Sequence, residues 1–237
     1  MNFSNNENFI GSIFSRIAKR YDLVNRCVSL GSHVHWTNKF VDLLLNNHTP
    51  QCILDLCCGT GAITQTLLHR IRKRNLLVPT VDCVDFCPQM LAEAQKKLSD
   101  EVALIRYIRA NATSLPLPDN MYDTVLISYG IRNICNRERA LQEIARVLRP
   151  KGKLFILELT RPNALVSPFM RVYLQLCIPA IGGLLTGQWR GYKYLASSIY
   201  SFSTSSFINQ LNHAGFSCKE VLSNSYGLLT LVHAEKL

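Results

Sequence analysis

The chain has 237 residues, 48% of them apolar and 18% charged. That is the composition of a globular chain with a sizeable core and excludes a disordered one. The formal net charge of +10 favours an anionic partner, either a membrane surface or a nucleic acid, and carries no information about fold. The excess is local: from Arg149 to Lys193 there are seven bases and one acid, Glu158. Nine cysteines include the vicinal pair Cys57-Cys58 but no C-x-x-C and no Cys/His ligand spacing. They read as reduced, intracellular thiols, most of them small buried hydrophobes, with no metal site among them.

The polar stretch Met1–Asn8 has no apolar core and predicts no secretory leader. Phe9–Tyr21 carries apolar residues at helical spacing, and Lys39–Leu45 predicts a second helix, so N-terminal helices occupy about 9–45. Short apolar runs then alternate with helical segments. Cys52–Leu56 reads as a strand, Ala62–Lys73 as a helix, Thr80–Val84 as a strand and Pro88–Leu98 as a helix. Ala103–Ile108 and Thr124–Ser128 read as strands, Arg137–Leu148 as a helix and Lys153–Leu159 as a strand. This alternation predicts an α/β fold, a mostly parallel sheet with helices on both faces. The rhythm breaks at about 161–199, which reads as a helical insertion. Within it Ala164–Leu185 is strongly apolar but holds Arg171, Pro168, Pro179 and Gly182-Gly183, so short helices are expected and not a span. Ser205–Ala214 reads as a helix stopped at Gly215, and Phe216–Leu222 with Leu228–Ala234 as a closing strand pair. No linker divides the chain, so one domain over 1–237 is expected.

Ile53-Leu54-Asp55-Leu56-Cys57-Cys58-Gly59-Thr60-Gly61 is an apolar strand running into a glycine turn and a helix. Gly59 and Gly61 permit a tight turn and close approach of the backbone to a ligand, with helix N–H groups aimed at it. A dinucleotide fingerprint would need glycine or alanine where Thr64 stands. Asp55 beside the turn suits the ammonium group of S-adenosylmethionine and would repel a pyrophosphate. Asp85, ending the next strand, can accept from both ribose hydroxyls or cap the helix that begins at Pro88. Asn111-Ala112 follows the third strand and can read an adenine edge, though Asn111 also serves as a turn residue. Ser128 ends the fourth strand, at the edge where open α/β sheets bind ligands.

With these residues in place the chain resembles the C-methyltransferases of ubiquinone and menaquinone biosynthesis, the demethylmenaquinone methyltransferase family. The likeness runs from about Phe14 onward. It is carried by Ala18-Lys19-Arg20-Tyr21-Asp22…Asn25, Ser29-Leu30-Gly31…His33…Trp36, Asp119-Asn120…Tyr122-Asp123, and Leu157-Glu158-Leu159-Thr160-Arg161-Pro162. Tyr192-Lys193-Tyr194-Leu195…Ser198-Ile199 belongs to it, and Ser128-Tyr129-Gly130-Ile131-Arg132-Asn133 is its most specific run. The resemblance implies a Rossmann-like class I methyltransferase fold with a seven-stranded sheet. Its cofactor would be S-adenosylmethionine, with contacts at Thr60, Asp85, Asn111-Ala112 and Ser128. Departures are Cys57 where many methyltransferases carry glycine, Gly187-Gln188-Trp189-Arg190 in place of an acidic stretch, Ser203 after Phe202, and His233 one position late.

The reaction so implied adds a methyl group to a ring carbon of a prenylated quinol, demethylmenaquinol or its ubiquinone-pathway counterpart. Such a displacement needs alignment and exclusion of water rather than a metal. A neighbouring hydroxyl must begin to lose its proton. Arg132, just past the fourth strand, is the first candidate to stabilise that phenolate, unless it pairs with Asp123 or Glu158. His33, Tyr129, Tyr192 and Tyr194 are further candidates; His33 reads equally as a core histidine, and each tyrosine reads first as core packing. The basic, apolar segment Ala164–Leu185 can rest on an anionic membrane or act as a lid. This implies a cytoplasmic protein peripheral to the inner membrane face, and a homodimer is implied by the resemblance alone. A nucleic-acid methyltransferase is disfavoured: no N-P-P-Y run, no Pro-Cys nucleophile and no RNA-binding module occur. A non-catalytic S-adenosylmethionine-binding partner and a methyltransferase of another small molecule are the other rivals.

Overall fold

The computed structural model describes residues 7–101, 104–164, 166–224 and 226–237. Among these, seven strands form one sheet: β1 (Cys52–Leu56), β2 (Thr80–Asp85), β3 (Ile105–Arg109), β4 (Tyr122–Ser128), β5 (Leu148–Leu159), β6 (Phe216–Ser223) and β7 (Leu229–Lys236). The order is β3-β2-β1-β4-β5-β7-β6. β7 pairs antiparallel with β5 and β6, and the other pairings are parallel. The helices are α1 (Glu7–Ile17), α2 (Tyr21–Val28), α3 (Ser32–Asn47), α4 (Ala62–Lys73), α5 (Pro88–Lys97), α6 (Arg137–Val147), α7 (Ser167–Val172), α8 (Ile178–Thr186), α9 (Trp189–Ser201) and α10 (Thr204–His213).

The unbroken apolar runs follow from burial on both faces. Leu54, Val125, Ile127 and Ile156 pack against Leu141 and Ile144 of α6 and Phe207 and Leu211 of α10. Ile53, Leu126 and Phe155 face the other way, onto Phe40 and Leu44 of α3 and Leu67 and Ile71 of α4. A third cluster joins Ile10, Ile13 and Ile17 of α1, Val24 of α2, Met90 of α5 and Tyr192 and Tyr194 of α9. The N-terminal helices and the insertion therefore form one cap. The chain winds outward from β1 to β3 and then crosses to β4, so a crevice opens beyond the carboxyl ends of β1 and β4.

Several boundaries differ from expectation. The first helix ends at Ile17, and after a single tight turn at Ala18–Arg20 a separate α2 begins. α3 starts at Ser32, seven residues before Lys39; its first turns are partly solvated and lack an apolar stripe, which hid them in the sequence. β5 begins at Leu148; Pro150, Gly152 and the positive φ of Lys151 (62°) hid its start. Ala103, expected to open the third strand, lies outside the described residues, and β3 begins at Ile105.

The expected short helices within Ala164–Leu185 are instead one continuous helical stretch, Pro168–Thr186. It is 19 residues long, with mean hydropathy 1.4 and 22% buried, and by length and composition alone it could cross a membrane. A wide π turn at Tyr173–Cys177 carries the helix past Pro179, whose missing N–H would otherwise interrupt it. Gly182 and Gly183 do not break it either. A Cβ at Gly182 would collide with the Tyr192 ring, and one at Gly183 with the Trp189 indole, so the pair lets α9 lie close against α8.

Candidate active site

A cavity of about 400 Å³ occupies the crevice. Its floor is the carboxyl end of the sheet. Cys57, Gly59 and Thr60 follow β1, Asp85 ends β2, Asn111 and Ala112 follow β3, and Ser128 ends β4. Its roof is the cap: Glu7, Ile10 and Phe14 from α1, Tyr21, Asp22 and Asn25 from α2, and His33 and Val34 from α3.

The glycine turn is built by its backbone. Cys57, Gly59 and Gly61 have φ of 59°, 55° and 74°, and at Gly59 there is no atom within 4 Å of a would-be Cβ, so that glycine answers the turn alone. Gly61 has a different duty. A Cβ there would lie 2.9 Å from Leu98 Cδ1 and 3.3 Å from Ala94 Cβ, so its smallness lets α5 approach the turn. Gly61 does not line the cavity.

Asp85 braces the turn. Its Oδ2 accepts from the Gly59 N–H at 3.0 Å and its Oδ1 from the Cys87 N–H at 2.9 Å. Burial pushes its carboxyl above the usual range, and the N–H groups of Cys87, Gly59 and Phe86 oppose that. Each oxygen keeps a lone pair for a ligand hydroxyl. Asn111 Oδ1 accepts from the Thr113 N–H at 3.0 Å and the Thr113 hydroxyl at 2.9 Å, a turn arrangement, while its Nδ2 donates to Glu7 Oε2 at 2.9 Å.

Asp55 is not where its charge would serve a ligand. It is completely buried beneath the turn and outside the cavity lining. Its Oδ2 accepts from the Thr64 hydroxyl at 2.6 Å and its Oδ1 has no partner among the described residues. Burial raises its pKa to about 7 against the lowering hydrogen bond from Thr64. A side chain in the sheet points alternately to either face, and Asp55 falls on the face covered by α4, against Thr64.

Arg132 takes the other course the sequence left open, pairing with Glu158. It is absent from the cavity wall and buried, its side chain 7% exposed, in an ion pair with Glu158, itself 2% exposed. Its Nη1 also donates to the Tyr129 carbonyl at 3.0 Å, its Nε to the Ser198 hydroxyl at 3.3 Å, and its backbone N–H to Glu158 Oε2 at 3.1 Å. It ties the end of β4 to β5 and α9. Tyr192 and Tyr194 are also outside the cavity, packed in the cap, with Tyr194 edge-on to Phe9 at 5.7 Å between ring centroids.

Two of the expected catalytic candidates do reach the cavity. His33 Nδ1 is 2.8 Å from the Ser29 hydroxyl, and burial lowers its pKa, with Asp22 raising and Arg26 lowering it further. Among the described residues no hydrogen bond engages its Nε2. Tyr129, held at φ 55°, has a buried hydroxyl with no partner among the described residues, and burial raises its pKa.

Sequence reasoning missed two charged residues. The Thr60 hydroxyl donates to Asp22 Oδ1 at 2.8 Å, Lys97 Nζ donates to Thr60 Oγ1 at 2.9 Å, and Lys97 pairs with Asp22. All three line the cavity. Asp22 stands within Tyr21-Asp22…Asn25, a run already noted, but Lys97 carries no local signal.

The model of the ubiE/COQ5 methyltransferase family matches residues 2–236. A demethylmenaquinone methyltransferase of Thermus thermophilus is 38% identical over 222 residues, covering 92% of this chain and 94% of its own. A ubiquinone/menaquinone biosynthesis C-methyltransferase of Wigglesworthia glossinidia is 34% identical over 234 residues, covering 97% and 91%. Among solved structures, a SAM-dependent methyltransferase from Aquifex aeolicus superposes with a TM-score of 0.60 at 16% identity, covering 83% of this chain and 88% of that one. The [4+2]-cyclase SpnF superposes with a TM-score of 0.69 at 15% identity, covering 98% and 97%, which shows that this fold alone does not settle chemistry.

Proposed function

The chain belongs to the ubiE/COQ5 methyltransferase family, and from that premise we propose that it methylates a ring carbon of a prenylated quinol, demethylmenaquinol or the matching ubiquinone-pathway intermediate. Its cofactor is S-adenosylmethionine, which supplies an electrophilic methyl group. The observation that carries the reading is convergence: Thr60, Asp85, Asn111-Ala112 and Ser128, separated in sequence, line the same cavity as His33 and Tyr129. The cavity suits the cofactor. It has a glycine turn for close approach, buried carboxylate oxygens with spare lone pairs, and an asparagine beside an apolar wall.

His33 Nε2 is the group placed to take the proton of the ring hydroxyl, since burial keeps the imidazole neutral and Ser29 fixes its other nitrogen. The cap excludes water while the reduced ring, the quinol, presents its carbon.

The substrate tail gives the outer surface a role. Leu30 (90% exposed), Val34, Phe169, Val172, Leu176, Leu184 and Trp189 are all exposed, on α3, on the long helix, beside them or at the start of α9. Val34 also lines the cavity, and the Tyr173 hydroxyl donates to the Val28 carbonyl, joining these segments. With Arg26, Arg171 and Arg190 exposed nearby in the chain, this side is suited to an anionic bilayer on the cytoplasmic side. Sedimentation with anionic vesicles tests the membrane contact, and sedimentation velocity tests the homodimer.

Purified protein is mixed with S-adenosylmethionine, a reductant, and demethylmenaquinone or its ubiquinone-pathway counterpart, and product mass is followed. One added methyl on one nucleus, absent without reductant, is expected. No transfer to either nucleus with cofactor binding intact overturns the quinol assignment.

A further inference from the structure

A zwitterion needs both signs of charge within a few ångströms, and the methionine end of the cofactor is one. Asp55, the carboxylate the sequence suggests for its ammonium group, is sealed beneath the turn. Apart from Asp85, whose oxygens are engaged by the Gly59 and Cys87 N–H groups, the charges that face the cavity beside the turn are Asp22 and Lys97. Asp22 comes from α2 of the cap and Lys97 from the last turn of α5, and both meet on the hydroxyl of Thr60, inside the glycine turn. The pair spans 75 residues and joins two elements that otherwise pack through apolar groups.

We infer that Lys97 and Asp22 clamp the methionine end of S-adenosylmethionine, Lys97 taking its carboxylate and Asp22 its ammonium group. Three observations support the assignment. The pair borders the turn whose backbone admits the cofactor closely. The N-terminal end of α4 begins at Ala62, two residues past Thr60, so its free N–H groups add to Lys97 in attracting a carboxylate. Lys97 is only 20% exposed, so its charge retains strength that open water would screen, whereas Asp22, at 48%, is exposed and screened more strongly. Without ligand the two charges neutralise each other. A zwitterion replaces that one ion pair by two, each with its own partner. Thr60 holds the two side chains on either side of the entering group. Because Asp22 belongs to the cap, this exchange also couples cofactor binding to the seating of α2 over the site.

The inference rests on S-adenosylmethionine being the cofactor, and the experiment separates the two. Full-length wild type, Lys97→Met and Asp22→Asn are titrated calorimetrically with S-adenosylhomocysteine and with 5′-methylthioadenosine, which keeps the adenosine and thioether but lacks the amino-acid end. Each variant is expected to bind S-adenosylhomocysteine about tenfold or more weakly and methylthioadenosine about as wild type does. Lys97→Arg should restore most of the affinity. Equal weakening toward both ligands, or weakening toward neither, overturns the clamp. Failure of wild type to bind either ligand would instead overturn the cofactor reading beneath it.

Discussion

Gly130 presses on Cys57: a Cβ built on Gly130 lies 2.5 Å from Cys57 Cβ and 3.2 Å from its Sγ. Cys57 itself is held at φ 59°, a conformation that costs a non-glycine residue on the order of 1 kcal/mol or more. The start of the cofactor turn and the run after β4 are thus one packed unit on the cavity wall. Gly130→Ala is expected to destabilise the protein by about 2 kcal/mol in urea unfolding and to weaken S-adenosylhomocysteine binding. Cys57→Gly should add little harm alone and should recover most of the loss in the double variant. A double variant no better than Gly130→Ala would show that the clash lies elsewhere.

Arg132 and Glu158 make the opposite kind of contact, a buried ion pair. Removing one partner leaves a charge without compensation, which costs about 3–5 kcal/mol. Arg132→Met should therefore lower the melting temperature sharply and lose activity as a consequence. Arg132→Met with Glu158→Gln should regain much of the stability. If Arg132→Met melts like wild type yet is inactive, the arginine acts in chemistry and the structural role fails.

The contrast marks what the sequence discloses. Strands buried on both faces must be apolar throughout, so β1, β2 and β4 are visible as runs, and the turn at Gly59 follows from their ends. Whether a carboxylate one or two residues before that turn faces ligand or core depends on the pleat, and Asp55 fell on the other side. Arg132 was legible as important and Glu158 as one of two possible partners, but the choice between Glu158 and Asp123 needed the fold, because Glu158 lies 26 residues away on a neighbouring strand. Lys97 has no local pattern to betray it: it is one of two lysines ending an amphipathic helix. The glycine pair in the insertion misled for the same reason, since its cause is a ring on another helix.

The buried Asp55 links stability to pH. Its folded pKa of about 7 lies above the ordinary carboxylate value of 3.8, so the protonated form is favoured by folding. The contribution is complete below about pH 4 and is lost as pH rises through about 7. The difference corresponds to a few kcal/mol, on the order of 1.4 per pH unit. Asp55→Asn, neutral at every pH and able to keep the Thr64 contact, should flatten the decline between pH 4 and 7 in urea unfolding. A wild-type curve with no decline over that interval, or one unchanged in Asp55→Asn, removes Asp55 as its source.

His33 should set the acid limb of activity. Burial holds its pKa below 6.5, so the imidazole is neutral at pH 7 and becomes protonated only as pH falls further. A protonated ring cannot accept the quinol proton, so kcat/KM is expected to be level near neutrality and to fall below an apparent pKa under 6.5. His33→Asn should remove that limb and lower kcat by about a hundredfold or more, with S-adenosylhomocysteine affinity little changed. Ser29→Ala, which frees Nδ1 from its 2.8 Å partner, should reduce kcat less and leave the limb in place. If the limb persists unchanged in His33→Asn, another group accepts the proton, and His33 serves only as part of the cavity roof.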